Sequence, residues 1–190
     1  MSGDTKTVSD RACTGLDHFV AVAAKSALAA SGNDCPVTPT EHVDANEKKV
    51  AMLTVSSYMF RALLFIHFDA NLVNREHFAA LDNVPLDDMD GERFLDAVME
   101  RGNLCCGAFN RELAVFFPHT GMSTPCILDR SSLEHVQALK PAVTRHYRAE
   151  PAPGVVLHMT LAVCAFADLD FPFEPRDVVE EDTAGELEMF

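Results

Sequence analysis

The order of helical and strand-like segments constrains the fold of this chain more than any other feature of its sequence. A long helical pattern over residues 16–30, rich in Ala and Val and ended by Ser31-Gly32, precedes one group of short apolar runs. A second helical pattern, over residues 92–113, precedes another group. The predicted strands cover residues 36–43, 50–58, 61–68, 114–117, 124–128, 142–149 and 155–166. A helix followed by strands, twice over, predicts an α+β fold in which two long helices lie on one face of an antiparallel sheet.

Shorter elements and the chain ends complete the predicted organisation. The shorter elements are a helix over residues 71–81, a turn over residues 85–90, and a helix over residues 132–139 that begins in a capping box. Residues 1–13 are polar and predicted to be flexible, and residues 176–190 are predicted to form an acidic, solvated tail. We therefore expect one domain over residues 14–175.

The composition excludes several classes of function. A formal net charge of −14 disfavours binding to nucleic-acid phosphates or to an anionic membrane, and no apolar run reaches the ~18–20 residues that span a bilayer. The cysteines include no C-x-x-C pair and no zinc-like spacing with histidine, so we expect no metal or cofactor in this chain. The adjacent Cys105 and Cys106 are interpreted as packed thiols. Reduced cysteines and the lack of a signal-peptide pattern predict a cytoplasmic protein.

The second long helix carries a polar signature opposite its apolar stripe. Asp96, Glu100 and Asn103 step by four and then three residues, which places them on one helix face. The stripe, roughly 140° away on a helical projection, comprises Leu95, Val98, Gly102, Cys106, Phe109 and Leu113, with Cys105 at its edge. The polar groups should therefore point to solvent, where they can bind a partner's cation and orient a water molecule. Most exposed Glu and Asn residues are merely solvated, so the signature needs further support.

That support comes from a glycine and a proline at fixed distances. Gly107 follows Asn103 by four residues, and Pro125 follows it after 21 intervening residues, at the end of the stretch Gly121-Met-Ser-Thr-Pro. The pattern D-x3-E-x2-N-x21-P resembles the signature of the CheC/CheX/FliY chemotaxis phosphatases. The order of elements agrees with that family over roughly residues 14–166. The resemblance implies a two-layer CheC-like fold, built as a duplication of α-β-β-β units.

The resemblance also implies a reaction and a partner. Members of the family accelerate hydrolysis of the aspartyl phosphate on a CheY-type receiver domain. The acidic residue of their E-x-x-N motif engages a lysine of the regulator, and the asparagine positions the attacking water. By this resemblance Glu100 is the docking carboxylate and Asn103 the water-orienting amide, while Asp96, Gly107 and Pro125 have supporting roles. The Mg²⁺ of such a reaction belongs to the receiver domain.

One departure from the family pattern leaves alternatives open. Arg101-Gly102 stands where the family usually has an apolar residue beside a variable one, and a glycine in mid-helix costs ~1 kcal/mol relative to Ala. Close packing of Gly102 against a strand would explain it. A non-catalytic adaptor of the same fold would bind a response regulator or a flagellar-switch partner without changing the lifetime of a phosphoryl group. An inert scaffold would bind no receiver at all.

The number of sites bears on the expected assembly. The helix of the first half contains no E-x-x-N, so we expect only one active face. In this respect the chain resembles CheX more than CheC, and the resemblance implies a homodimer. Pairing through sheet edges and pairing through helices both remain possible.

Overall fold

The computed structural model describes residues 6–43 and 46–174, and it has the predicted α+β architecture. Within those residues, three α-helices and two 3₁₀ helices accompany a seven-stranded antiparallel sheet. The helices are α1 (Asp10–Leu28), α2 (Leu72–Asp82) and α3 (Gly91–Ala114), with 3₁₀ helices at Leu86–Asp88 and Arg130–Leu139. The strands are β1 (Val37–Thr40), β2 (Lys49–Ser56), β3 (Phe60–Phe68), β4 (Gly121–Met122), β5 (Cys126–Asp129), β6 (Val143–Ala152) and β7 (Val155–Ala165).

The strand order is symmetric between the two halves of the chain. It runs β1-β6-β7-β3-β2, and both β4 and β5 pair with the outer side of β2. Exchanging β1 for β5, β2 for β6 and β3 for β7 turns this order into its own reverse. The last strands of the two halves therefore meet at the centre, and the first strand of each half pairs with the second strand of the other. This symmetry agrees with the expected duplication of α-β-β-β units.

The two long helices lie side by side on one face of the sheet, as predicted. Alternate residues of the central strands point towards them, so that Leu64 of β3 and Leu161 of β7 are buried in the main core. Phe78 of α2 packs edge-on against Phe94 of α3, with ring centroids 5.4 Å apart. The opposite face carries a smaller apolar cluster beneath the 3₁₀ helix Arg130–Leu139, formed by Val50, Leu63, Phe65 and Ala162 with Leu133 and Val136.

Helix α1 begins six residues before its predicted start. The hydroxyl of Ser9 accepts a hydrogen bond from the backbone N–H of Ala12 at 3.2 Å and so caps the helix. Asp10 places a negative charge in the first turn, where the helix dipole favours it. Residues 10–13 are therefore helical and not part of a flexible N-terminus. The polar residues that suggested a loose segment are the cap and the first turn.

Three predicted elements of the second half are corrected. Residues 114–117 form the end of α3 and the turn that follows it, not a strand, because Phe116 and Phe117 fold back onto Phe171. The strand predicted over residues 124–128 is β5, which begins only at Cys126, after Pro125, a residue that has no N–H for strand pairing; the short strand β4 at Gly121–Met122 was not predicted. The helix predicted over residues 132–139 is a longer 3₁₀ helix.

Two remaining predictions concern the ends of the chain and the absence of a membrane-spanning helix. Residues 1–5 and the predicted acidic tail, residues 176–190, lie outside the described residues. Within the part of the chain that the structure describes, no helix is both long and apolar enough to cross a membrane.

Candidate functional site

Helix α3 is fixed by its cap and by its apolar side. The carboxylate of Asp90 accepts a hydrogen bond from the backbone N–H of Arg93 at 2.9 Å, which starts the helix. The buried residues are Phe94, Ala97, Val98, Gly102, Cys105, Cys106, Ala108, Phe109 and Leu113. Leu95, predicted in the apolar stripe, is exposed instead. The buried arc is turned towards Phe94 and Cys105 because α3 packs against α1 as well as against the sheet.

The polar signature lies on the outer face of α3. Asp96, Glu100 and Asn103 are all exposed, in agreement with the helical projection. Among the described residues, none offers their side chains a hydrogen bond or an ion pair. Leu104 lies beside them and is 42% exposed. This face therefore presents two carboxylates and an amide that the rest of the described chain does not bind, beside a partly exposed apolar side chain.

Gly107 lies about one helical turn beyond Asn103 and is partly buried. A Cβ atom at this glycine would have only the guanidinium end of Arg111 within 4 Å, at a distance of 3.9 Å. Packing inside the chain therefore does not require glycine here. Because glycine has no side chain, the helix backbone is accessible next to the exposed amide of Asn103, and another molecule can approach it closely.

The segment that carries Pro125 is held along β2 by a reciprocal pair of hydrogen bonds. The backbone N–H of Ser123 donates to the carbonyl of Thr54 at 2.9 Å, and the N–H of Thr54 donates to the hydroxyl of Ser123 at 3.0 Å. The thiol of Cys106 lies 4.0 Å from the same Thr54 carbonyl. Helix α3, strand β2 and the proline segment thus meet at one peptide group. No sequence pattern predicted this role of Ser123.

Pro125 lies against Gly102 on the flank of α3. A Cβ atom built on Gly102 would be 3.4 Å from Cγ and 3.5 Å from Cβ of Pro125, and 3.4 Å from Cδ2 of Leu53 on β2. Gly102 therefore lies against strand β2 as expected, but these are ordinary contact distances that leave room for a methyl group, so the packing does not require glycine here. The proline ring contacts the helix between Glu100 and Asn103 in sequence, so the distant proline of the motif and its E-x-x-N segment are brought together.

Arg101, the other unusual residue, links α3 to α2. Its guanidinium forms an ion pair with the carboxylate of Asp82, the last residue of α2. The two side chains are 17% and 26% exposed, so the pair is largely sheltered from water. Helix α2 is held to α1 in turn, because Nε2 of His77 lies 2.8 Å from the carbonyl oxygen of Leu28. Arg101 therefore fixes α3 at the residue next to Glu100. No local sequence pattern predicted this pair, because its members are 19 positions apart.

Two cysteines are buried beneath the outer face of α3. Burial raises the pKa of the Cys105 thiol far above its usual range and raises that of Cys106 to about 11. Both groups are therefore neutral thiols at physiological pH and poor nucleophiles. This supports their interpretation as packed side chains. Within residues 6–43 and 46–174, no group of three or more His, Cys, Asp or Glu side chains is arranged to hold a metal ion.

Comparisons with known proteins identify the fold. No sequence-family profile and no curated protein matches this chain. A CheC-like superfamily protein from Shewanella sp. PV-4 superimposes with a TM-score of 0.56 at 11% identity, over 82% of this chain and 98% of that one. A chain of the CheX-CheY-BeF3-Mg²⁺ complex from Borrelia burgdorferi gives 0.57 at 13% identity, over 80% and 96%. This chain has the CheC-like fold. Chemotaxis protein CheX from Vibrio vulnificus gives 0.55 at 13% identity, over 78% and 96%.

The CheC-like fold agrees with the resemblance drawn from the sequence motif, although the two rest on different observations. The motif depends on a few residues of α3 and a proline, whereas the superposition depends on the path of the whole backbone. At identities of 11–13%, the superposition concerns the fold alone. The roles of the individual site residues therefore remain predictions.

Proposed function

We propose that this protein docks a phosphorylated CheY-type receiver domain and accelerates hydrolysis of its aspartyl phosphate. The observation that carries the proposal is the outer face of α3. There Glu100 and Asn103 are exposed and unengaged by the described chain, and Pro125 packs against the helix between them at Gly102. The complex of CheX with CheY among the similar structures supports a receiver domain as the partner.

Glu100 is the docking group in this proposal. Its carboxylate is hydrated in the free protein and would exchange water for a lysine of the receiver. Such a charge-assisted contact, partly dehydrated on docking, fixes register as well as adding affinity. Asp96 lies one turn earlier on the same face and adds to the negative potential that meets the lysine. Gly107 leaves space for the receiver backbone at the other end of the face.

Asn103 is the group that would act on the reacting atoms. Its carboxamide can accept a hydrogen bond from a water molecule and donate one to it, which orients the water without changing charge. The water oxygen attacks phosphorus while the bond from phosphorus to the aspartyl oxygen breaks, giving inorganic phosphate and free aspartate. In phosphoryl transfer, a protein contributes mainly by positioning the reacting groups and by stabilising the charge of the transition state. The Mg²⁺ that stabilises the phosphoryl oxygens is proposed to be the receiver's own.

The decisive experiment is the decay of a phosphorylated CheY-type receiver with and without this protein. We expect Asn103→Ala to lower the acceleration by about 10²-fold, the scale of a lost positioning contact, while binding persists. We expect Glu100→Ala to weaken binding. Asn33→Ala and Glu76→Ala remove an exposed amide and an exposed acid elsewhere and serve as matched controls that retain both properties.

The outcomes separate the alternatives. Tight binding by the wild-type protein with no change in decay would make it an adaptor of the same fold. No binding to any receiver from the same organism would contradict the proposal as a whole.

We further propose that the protein is a homodimer, on the basis of its resemblance to CheX. Light scattering after size-exclusion chromatography should give a mass near twice 20.8 kDa. A mass near 20.8 kDa at every concentration tested would contradict this.

A further inference from the structure

The sheet face opposite α1 and α3 is divided into an apolar part and a polar part. The apolar part lies beneath the 3₁₀ helix Arg130–Leu139. The polar part is formed by central strands, where His67 pairs across with His158 and Thr160 pairs across with His146. His67 and Thr160 are almost completely buried. Polar side chains in the middle of a sheet cost free energy unless they are hydrogen-bonded, so their concentration here needs a reason.

A cavity of about 870 Å³ opens over this polar part. His67, His146 and Thr160 form part of its lining, and the loops around Lys48 and Arg130 form other parts. Small-molecule sites in proteins are clefts of ~300–1,000 Å³ with a few convergent polar groups. The cavity is on the face of the sheet away from Glu100 and Asn103, so it is not part of the proposed docking site.

Three of the polar groups form a hydrogen-bonded chain. Nε2 of His67 and Nδ1 of His146 each lie 2.8 Å from the hydroxyl oxygen of Thr160. A hydroxyl has one proton, so Thr160 donates to one ring and accepts from the other. The direction of this chain decides which ring nitrogens carry protons.

The unpaired nitrogen of His67 sets that direction. Nδ1 of His67 is buried and has no hydrogen-bond partner among the described residues. A buried acceptor without a partner is tolerated more often than a buried N–H without one. Nδ1 therefore holds the lone pair and Nε2–H donates to Thr160. Thr160 then donates to Nδ1 of His146, so that His146 carries its proton on Nε2. That N–H has no partner among the described residues, and His146 lines the cavity.

Among the described residues, the cavity lining carries two basic side chains, Lys48 and Arg130, and four acidic ones. Burial lowers the pKa of His67 to about 3, and the neighbouring Arg130, His158 and His146 lower it further, so the His67 ring is neutral. Two acids of the lining are engaged elsewhere: Asp129 with Lys49 at 2.8 Å, and Glu47 with His158 at 3.1 Å. The other two acids, Glu41 and Glu134, are exposed at the rim, where solvent screens them.

We propose that this cavity binds a small oxyanion, a carboxylate or phosphate group, which accepts the Nε2–H of His146 and is held beside Lys48. The guanidinium of Arg130, which already donates to the backbone carbonyls of Val43 and Glu47, also lines the cavity. The chain from His67 through Thr160 fixes the tautomer that presents the His146 donor. The site is independent of the proposed phosphatase activity, because none of its groups belongs to the α3 face.

The test is ¹⁵N NMR of the histidine rings in the full chain at neutral pH, with inorganic phosphate and acetate titrated separately. We expect both His67 and His146 to carry their proton on Nε2. We expect at least one of the two anions to shift the His146 resonances saturably, with His135, exposed and outside the cavity, unchanged. Saturation by one anion alone would identify the oxyanion class.

Variants make the result decisive. Lys48→Gln, at an exposed position, should weaken the anion's affinity about tenfold, the usual scale of a charge-assisted contact. Lys25→Gln, an exposed lysine outside this cavity, should leave it unchanged. Thr160→Val should change the His146 tautomer. The proposal is overturned if neither anion gives a saturable shift, if His135 shifts in parallel, or if Lys48→Gln binds as well as the wild type.

Discussion

The ion pair between Arg101 and Asp82 gives a prediction whose size follows from burial. Exposed pairs contribute ~0.2–1 kcal/mol, whereas removing one partner of a fully buried pair costs ~3–5 kcal/mol. With side chains 17% and 26% exposed, this pair lies between those limits. We expect Asp82→Ala to lower the free energy of unfolding by about 2–3 kcal/mol. This substitution leaves the largely buried guanidinium of Arg101 without its carboxylate, and the Nε of Arg101 already has no hydrogen-bond partner among the described residues.

The reverse change should cost less. In Arg101→Met the methionine replaces the buried stem of the arginine, and the remaining carboxylate of Asp82, the more exposed partner, can reach water. We expect a loss of about 1–2 kcal/mol. The double variant should lose less than the sum of the single losses, by about 1–2 kcal/mol, because the two changes remove one shared interaction.

Urea unfolding of the four proteins measures these values, since the midpoint and slope give the free energy of unfolding in water. Additivity of the two single changes to within ~0.5 kcal/mol would refute the reasoning. It would mean that the pair does not couple α2 to α3. If the proposed function is correct, Arg101→Met should also slow receiver dephosphorylation, because it releases α3 next to Glu100.

Four further changes have signs set by the structure, and all can be measured by chemical denaturation. Gly102→Ala should stabilise by about 0.5–1 kcal/mol, since its methyl would meet neighbours at ordinary contact distances from 3.4 Å while helix propensity improves. Gly107→Ala should stabilise similarly but weaken receiver binding; unchanged binding would show that the open surface there is unused. Gly15→Ala should instead destabilise by about 1–3 kcal/mol, because its Cβ would lie 2.5 Å from Cε2 of Phe171, a ring packed among other aromatic rings. The pKa of His67 is about 3 in the folded protein against an ordinary 6.5, so between these pH values only the unfolded chain binds the proton. The free energy of unfolding should therefore fall as the pH drops from 6.5 towards 3. His67→Gln should reduce this pH dependence, and the same dependence in the variant as in the wild type would count against a neutral buried ring.

Local patterns were sufficient for the framework of this fold. The apolar spacing of α3 predicted which side is buried, and the run of elements predicted two helices over an antiparallel sheet. Leu95 shows the limit of a single-helix projection: α1 also covers α3 and turns the buried arc away from that residue. The strand predicted over residues 114–117 failed because Phe116 and Phe117 are as apolar as a strand but fold back onto Phe171.

Contacts between residues far apart in the sequence could not be predicted from local sequence patterns. The pairing of Ser123 with Thr54 joins residues 69 positions apart. The chain from His67 to His146 exists only because the registers of β3, β7 and β6 align its members. For Pro125, only its distance along the chain from Asn103 could be read from the sequence, and the family resemblance was the reason to assign it a role. Only the fold shows that this proline lies against Gly102 of the same motif.

The two long helices occupy equivalent places in the symmetric fold, yet their charged residues are used differently. On α1, Asp17 accepts a hydrogen bond from the hydroxyl of Tyr147 at 2.7 Å, and Lys25 lies 3.4 Å from Asp34. These charges are engaged by the fold itself, whereas Glu100 on α3 has no such partner among the described residues. We therefore expect one receiver to bind per chain, on α3 only. Isothermal titration calorimetry with a receiver should give a stoichiometry of one per chain, and Glu100→Ala should weaken that single binding event. Two receivers per chain, or a second binding event that survives Glu100→Ala, would show that α1 also offers a docking face.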